Sequence, residues 1–160
     1  MLMTAAEKLV EFMTPRLGQE IHVGPWLKIT QQRINQFAEV SGDQQWIHTD
    51  PKQAQAESPY GTTIAHGYLT LSLLPYLTQS NHADYFTKNY PGMKFRVNYG
   101  LNRLRFPAPV AVNSSIRAHT VLKSVEQIRD AVEVVYTISV EIEGGKKPAC
   151  VAEFVARLYA

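Results

Sequence analysis

The sequence predicts an α+β domain in which helices come early, long antiparallel strands come late, and the sheet wraps one apolar helix. Three observations carry this. Apolar residues recur at helical spacing in the first half. After Pro91-Gly92 the period drops to two, most clearly at Val132, Val134, Tyr136, Ile138, Val140 and Ile142, with Glu133, Val135, Thr137, Ser139 and Glu141 between them. That alternation marks a half-buried strand. Residues 67–79 carry few charges and are apolar nearly all round, the pattern of a buried helix rather than an amphipathic one.

The elements follow in order. Residues 4–13 read as an N-terminal helix at the domain edge, with Leu9, Val10 and Met13 on one side. Gly18 and Pro25 punctuate the next stretch, where 22–26 predicts a short strand. Thr30 is a good N-cap, Ile34, Phe37 and Ala38 share a helical face, and Gly42 fits the position just past the helix end. A helix over 30–41 therefore delivers Asp43 just beyond its C-terminus. Asp50-Pro51 restarts a short helix as N-cap and N1. Residues 57–63, with Pro59 and Gly61, predict a loop, and Pro75 kinks or shortens the apolar helix. Strands are expected at 93–99, 101–106 and 116–122. The long strand ending at Ile142 turns at Gly144-Gly145 into a partner in which Cys150, Ala152, Phe154, Ala156 and Leu158 alternate with polar or outward positions, which makes a hairpin. No repeat, low-complexity tract or linker interrupts the chain, so 1–160 is expected to be one domain.

The bulk numbers agree. A chain of 160 residues suits one core. Apolar residues make 45% and charged residues 19%, an ordinary globular balance. A net charge of +2 is too mild to argue for nucleic acid. The single cysteine, Cys150, forms no internal disulfide and offers no thiolate cluster for a metal, which suits a reducing cytoplasm. The N-terminus lacks the basic and apolar regions of a signal peptide. The apolar run at 68–77 is too short for a membrane span.

The chemistry concentrates between Asp43 and Tyr68. Asp43 stands five residues before His48, and a carboxylate with an imidazole is a general acid/base pair. Trp46 and Ile47 between them anchor the loop and hold both side chains still. A loop Asp that caps the next turn beside a surface His is the plainer account, but it leaves those anchors unexplained. Farther on, His66-Gly67 opens the apolar helix, where unpaired backbone N–H groups can receive developing negative charge. The plainer account there is a local hydrogen bond from His66 and a glycine chosen for close packing. His22, His82 and His119 share no spacing. A metal site is not expected, because His48 and His66 have no third ligand in a recognisable spacing. Glycine-rich nucleotide motifs and the G-x-S-x-G elbow are absent. Lys94, Arg96, Arg103 and Arg105 cluster between 93 and 106; at least two read as solvated strand edges, and the others could contact the phosphates of a charged ligand.

Together these residues resemble a known family. F-A-E-V-S-G-D-Q-Q-W-I-H-T-D-P (37–51) and I-A-H-G-Y-L (64–69) are similar to the joined signature of the MaoC-like dehydratases, the R-specific enoyl-CoA hydratase (hydratase 2) group of the hot-dog fold. N-Y-G-L-N-R-L-R-F-P-A-P-V (98–110) resembles that family's strand after the long helix. The likeness runs from about Thr30 onward and leaves out the helix at 4–13. It implies a homodimer and reversible hydration of a trans-2-enoyl-CoA to the (R)-3-hydroxyacyl-CoA. Asp43 and His48 would be catalytic, either of them serving as acid or base, and the Gly67 N–H would hold the oxyanion. Gln45 stands where the family often has Asn and would orient the site through the same amide hydrogen bonds. Trp46 replaces the usual Pro. His66, Arg103 and Arg105 are expected to bind substrate, carried on coenzyme A or an acyl carrier protein, with no metal, no other cofactor, no nucleic acid and no membrane. A hot-dog thioesterase and a non-catalytic acyl-thioester-binding subunit stay open. Products from saturated and unsaturated acyl-CoA separate the first; binding without turnover would indicate the second.

Overall fold

Capping explains where the early helices start. The structure, a computed structural model, describes residues 2–160. Helix α1 (Ala5–Met13) opens on a capping box: Thr4 Oγ1 accepts from the Glu7 N–H, and the Glu7 carboxylate accepts from the Thr4 N–H at 2.7 Å. Its buried residues are Ala6, Leu9 and Met13. The strand expected over 22–26 is instead two pieces, β1 (Glu20–Val23) and β2 (Leu27–Lys28). Gly24-Pro25 separates them. Pro25 has no N–H to give a ladder, and a Cβ on Gly24 would stand 1.8 Å from the Leu77 carbonyl oxygen, so only glycine lets these backbones meet.

Helix α2 (Gln31–Ser41) matches the expected helix closely. Thr30 caps it by accepting from the Arg33 N–H, and Gly42 ends it in the left-handed region at φ 78°. Its core face is Ile34 and Ala38. A single-turn helix α3 (Trp46–Thr49) occupies what the sequence suggested as loop, followed by α4 (Pro51–Glu57), capped by Asp50 through the Lys52 and Gln53 N–H groups.

The apolar segment 67–79 is not one helix. It divides at Leu73 into α5 (Gly67–Ser72) and α6 (Leu74–Leu77), with Pro75 in the first turn of the second. Pro75 has no N–H to bond Leu71, and its ring would crowd that carbonyl, so the helix must restart. Nor is the segment buried all round. Leu69, Thr70, Leu74 and Leu77 face the core, whereas Tyr68 and Tyr76 are 66% and 55% exposed. A further helix α7 (Ala83–Asn89), to which no sequence signal pointed, follows.

Four long strands complete the sheet: β3 (Phe95–Arg105), β4 (Ser115–Ile128), β5 (Ala131–Ile142) and β6 (Cys150–Tyr159). The order is β1-β4-β5-β6-β3, with β2 also pairing β4, and every pairing is antiparallel. The two segments expected at 93–99 and 101–106 are one strand running through Gly100, with register shifts on either side of it. The period-two reading of β5 holds for Val132, Val134, Tyr136, Ile138 and Val140, which are buried, whereas Ile142 at the strand end is half-buried and Val135, expected on the other face, is buried too. The first five pack with Leu69, Leu74 and Leu77 from the helices and with Leu9 and Met13 from α1. Each fully buried Leu, Ile or Val contributes about 1.5–3 kcal/mol. Among the described residues no helix is long and apolar enough to cross a membrane.

Candidate active site

Four pieces of backbone meet at the N-terminus of α5. Helix α2 ends at Gly42 and releases Asp43. The turn of α3 points His48 inward, where it is buried. Residues 63–65 run beside it as an extended strip, with the Ile64 N–H on the Ile47 carbonyl and the Ala65 N–H on the Val110 carbonyl. His66 then begins α5 as its N-cap residue. One ring nitrogen of His48, one of His66 and a carboxylate oxygen of Asp43 all lie within 4.8 Å of one another.

Hydrogen bonds set both tautomers. His48 Nδ1–H donates to the Ile64 carbonyl at 2.7 Å, which leaves Nε2 as the free acceptor. His66 Nε2–H donates to the Asp43 carbonyl at 2.9 Å. His66 Nδ1 therefore carries a lone pair, and it is buried without a partner. The two imidazoles stack with centroids 3.8 Å apart and planes 26° apart, and Phe37 packs against His66 at 5.0 Å. His66 thus ties the start of α5 to the loop that carries Asp43.

The charge states follow. Burial lowers the His48 pKa from its ordinary 6.5, and the neighbouring His66 adds to this against the opposing pulls of the Ile64 carbonyl and Asp43. His48 is neutral at pH 7. Partial burial raises the Asp43 pKa, but the Gln45 backbone N–H and side-chain amide, with His48 and His66, hold it below the usual carboxylate value. Those Gln45 contacts reach Asp43 Oδ1 at 3.4 and 3.3 Å. Asp43 is ionised at pH 7, so the site presents a carboxylate and an imidazole lone pair side by side.

Spacing paired Asp43 with His48 but gave no reason to add His66 as a third ligand, because the three come from different stretches of the fold. The three-ligand cluster that the sequence did not reveal therefore exists in space.

A cavity of about 310 Å³ opens beside His48, lined also by Tyr60, Gly67, Thr70 and Phe106. Gly67 is the first residue of α5, where an amide lacks an intrahelical acceptor. A Cβ there would meet the Phe106 ring at 2.8 Å, so the glycine lets that ring lie against the backbone. A larger cavity of about 350 Å³ lies elsewhere between the helices and the sheet and touches neither Asp43 nor His48. The smaller one is the candidate reaction chamber, because it brings His48 together with the first amide of α5; Asp43 stands outside its lining, with a carboxylate oxygen within 4.8 Å of a His48 ring nitrogen.

Several residues fall differently from expectation. Trp46 is half-buried rather than a full core anchor, and Gln45 is exposed. Arg103 and Arg105 are exposed on β3 and line neither cavity. Gln31 was not foreseen: its amide donates to the His48 carbonyl at 2.7 Å and to Asn35 Oδ1, while Thr63 Oγ1 donates to its Oε1 at 2.5 Å. It bolts the α3 turn to the strip beneath it, across 17 and 32 residues of sequence. Replacing Gln31 with Leu should lower stability by about 1–3 kcal/mol, since two buried partners lose their bonds; a denaturant midpoint measures it, and no shift would remove Gln31 from this role.

Comparison with known proteins agrees with the geometry. The family model for the MaoC-like domain matches residues 12–143, so the likeness reaches well before Thr30 and takes in β1 and β2. The chain is 48% identical over 144 residues to 3-hydroxyacyl-thioester dehydratase Z of Mycobacterium tuberculosis, covering 89% of this chain and 91% of that one. It is 40% identical to nodulation protein N of Rhizobium meliloti, covering 88% and 84%. The solved (R)-hydratase from A. caviae involved in PHA biosynthesis shares the fold, at TM-score 0.62 and 22% identity over 86% of this chain and 97% of that one. With its antiparallel sheet laid around α5 and α6, this chain is a hot-dog-fold hydro-lyase and belongs to the MaoC-like dehydratase family.

Proposed function

We propose that the protein adds water reversibly to a trans-2-enoyl-CoA, giving the (R)-3-hydroxyacyl-CoA, through Asp43 and His48. The observation that carries this is the side-by-side pair of acceptors, an ionised carboxylate and a neutral imidazole, next to the unpaired amide of Gly67. A water donates one hydrogen to Asp43 and the other to His48 Nε2, which leaves its oxygen free to attack Cβ. As the C–O bond forms, one acceptor takes a proton, electrons move to the thioester carbonyl, and the Gly67 N–H receives the enolate-like oxygen. The pair then returns a proton to Cα, so H and OH are added and the site is restored. The two groups act as a coupled unit. Because α5 spans only six residues, its dipole is small, and the directed N–H does the stabilising. No resident cofactor enters this scheme; coenzyme A arrives with the substrate.

The test is loss of conjugated-thioester absorbance on enoyl-CoA substrates with chiral analysis of the product. An (R)-3-hydroxyacyl product is expected. Release of free coenzyme A from saturated acyl-CoA would favour the thioesterase instead, and binding with no turnover a non-catalytic role.

The expected pH profile follows from the charges. Activity needs Asp43 ionised and His48 neutral, so kcat/KM should fall on the acid side with a midpoint below the ordinary His value of 6.5. A midpoint above it would contradict the assignment. The same shift acts on stability. With the folded pKa of His48 below the unfolded one, its contribution is full above pH 6.5 and is lost as pH falls toward the folded value.

Gln45 is assigned an orienting role, supported by its two long contacts to Asp43. Gln45→Ala should reduce kcat less than loss of Asp43. Arg103 and Arg105 are assigned to the phosphates of coenzyme A, with the exposed edge of the sheet as support. Charge reversal at either should raise KM and leave kcat mostly intact, as lost uniform binding does; a KM indifferent to both changes would place the phosphates elsewhere. A homodimer is supported by β3, an edge strand exposing Phe95, Val97, Tyr99 and Leu101. Such an edge is a template for another chain. Light scattering on the purified protein would give twice the 18.0 kDa chain mass.

A further inference from the structure

The larger cavity has a polar end that hydration chemistry alone does not require. It lies in a slot between α5–α6 and β3, which run in opposite directions. Phe106, just past the end of β3, lies on Gly67 at the start of α5. At the other end of the slot, Arg96 Nη2 donates to Ser80 Oγ, just past α6, at 2.9 Å and to Asn81 Oδ1 at 3.3 Å. Leu71 and Leu101 line the cavity toward the reaction chamber, and Ser80, Tyr85, Tyr90 and Arg96 line its far end. From Gly67 to Ser80 the helical path is about 20 Å.

That far end is chemically unfinished. Arg96 is half-buried and takes part in none of the ion pairs among the described residues. Among the described residues its Nε and Nη1 donate to no protein atom. Thr120, which lines the same cavity, has a buried Oγ1 without a partner. His22, paired with Thr120 across β1 and β4, has a buried Nε2 without a partner, and its ring meets Tyr85 edge-on at 5.3 Å. The Tyr90 and Tyr136 hydroxyls bond each other at 2.5 Å. Burial pushes the Tyr85, Tyr90 and Tyr136 phenols well above the usual range, with Arg96 pulling the other way, so all three stay neutral donors. An orphaned buried polar group costs roughly 1–3 kcal/mol, and the Thr120 hydroxyl and the uncommitted donors of Arg96 line one largely apolar cavity.

We propose that the cavity holds an acyl chain ending in a carboxylate, with Arg96 as the specificity-determining residue, so that the preferred thioesters are ω-carboxy-trans-2-enoyl-CoA compounds of medium length. This rests on the hydratase reading above. A carboxylate has about four lone-pair sites. The two uncommitted Nη1–H groups of Arg96 supply charge-assisted hydrogen bonds to it, and the Thr120 hydroxyl and the tyrosine side chains line the same cavity. An ω-methyl chain fills the apolar slot but gives the half-buried Arg96 no counter-charge, so it forgoes the charge-assisted contacts a carboxylate would make.

The test compares kcat/KM for ω-carboxy and ω-methyl trans-2-enoyl-CoA of matched length, in the full chain and in Arg96→Met and Arg96→Lys. The wild type should favour the carboxy substrate by about tenfold or more, mainly through KM. Arg96→Met should erase or invert the ratio, and Arg96→Lys should keep part of it. An equal ratio in wild type and Arg96→Met, a wild-type preference for the methyl chain, or equal use of an ω-hydroxy chain would each overturn the proposal. Should Arg96→Met fail to fold, Thr120→Val keeps the volume and removes the orphaned hydroxyl; it should lower the ratio by about threefold, and an unchanged ratio counts against the proposal. Should the wild type turn over neither substrate, the hydratase reading fails by itself. Calorimetric titration with a free medium-chain dicarboxylate against the monocarboxylate of equal length then decides the cavity: tighter binding of the dicarboxylate upholds the site, and equal affinity overturns it.

Discussion

Asp43→Asn and His48→Gln are each expected to lower hydration turnover by about 100- to 10,000-fold, the range typical of general acid/base groups. Asparagine in place of Asp43 keeps the shape of the carboxylate and its contacts with Gln45 but cannot accept a proton. Glutamine in place of His48 can still offer a hydrogen-bond donor to the Ile64 carbonyl, yet it has no basic lone pair to replace Nε2. The stability effects should differ. Asp43 is half-exposed, and its replacement should leave the melting temperature nearly unchanged. His48 is buried, bonded to Ile64 and stacked on His66, so its replacement should lower stability measurably through the lost ring stacking even where glutamine keeps the bond to Ile64. Single-turnover kinetics beside thermal melts separate the two effects. Near-full activity in either variant on a good substrate would remove that residue from the chemistry. Because the residues act as a unit, the double variant should lose little more than the worse single one.

Gly67→Val is expected to abolish turnover. Two distinct clashes are involved, and they can be told apart. The added side chain must displace the Phe106 ring, which already stands 2.8 Å from an ideal Cβ; overpacking of this kind costs about 1–3 kcal/mol. It would also stand where the thioester must come for its oxygen to reach the Gly67 N–H, about 2.7–3.1 Å away. Gly67→Ala combined with Phe106→Ala relieves the first clash and leaves the second. If that double variant folds like the wild type and stays inactive, the glycine serves the oxyanion. Recovery of turnover would show that Gly67 only makes room for Phe106.

Much of this molecule can be read along the chain. Thr30, Gly42, Asp50 and Pro51 mark helix ends by side-chain and backbone chemistry that acts within three or four residues, and each sits where that chemistry requires. The alternation through β5 and β6 names most of the buried face of the sheet; Val135 and Val155, paired across the two strands, are buried against it, and Ile142 and Phe154 are only half-buried. Asp43, His48 and Gly67 stand out as candidate residues from type and spacing. Other features were hidden for reasons equally physical. The one-turn helix at Trp46–Thr49 is too short to show a period. The break at Leu73 was signalled only as a kink or shortening by Pro75. The exposure of Tyr68 and Tyr76 could not be seen, because an apolar run does not say which of its faces meets the sheet.

The sequence by itself determined the α+β class, the order of the elements, most of the buried face of the long hairpin and the residue types at the site. Those follow from local rules, in which a side chain's direction repeats every two or 3.6 residues. The tertiary structure alone decided which groups meet. It stacked His66 on His48, turned their free nitrogens to different tasks through the Ile64 and Asp43 carbonyls, and tied Gln31 to both His48 and Thr63. It also set Arg96, unlike Arg103 and Arg105, its neighbours in the basic cluster, in the lining of a largely apolar cavity. Such pairings join residues 15 to 32 apart in sequence. They depend on how the chain returns on itself, and no periodicity within a single element encodes that path.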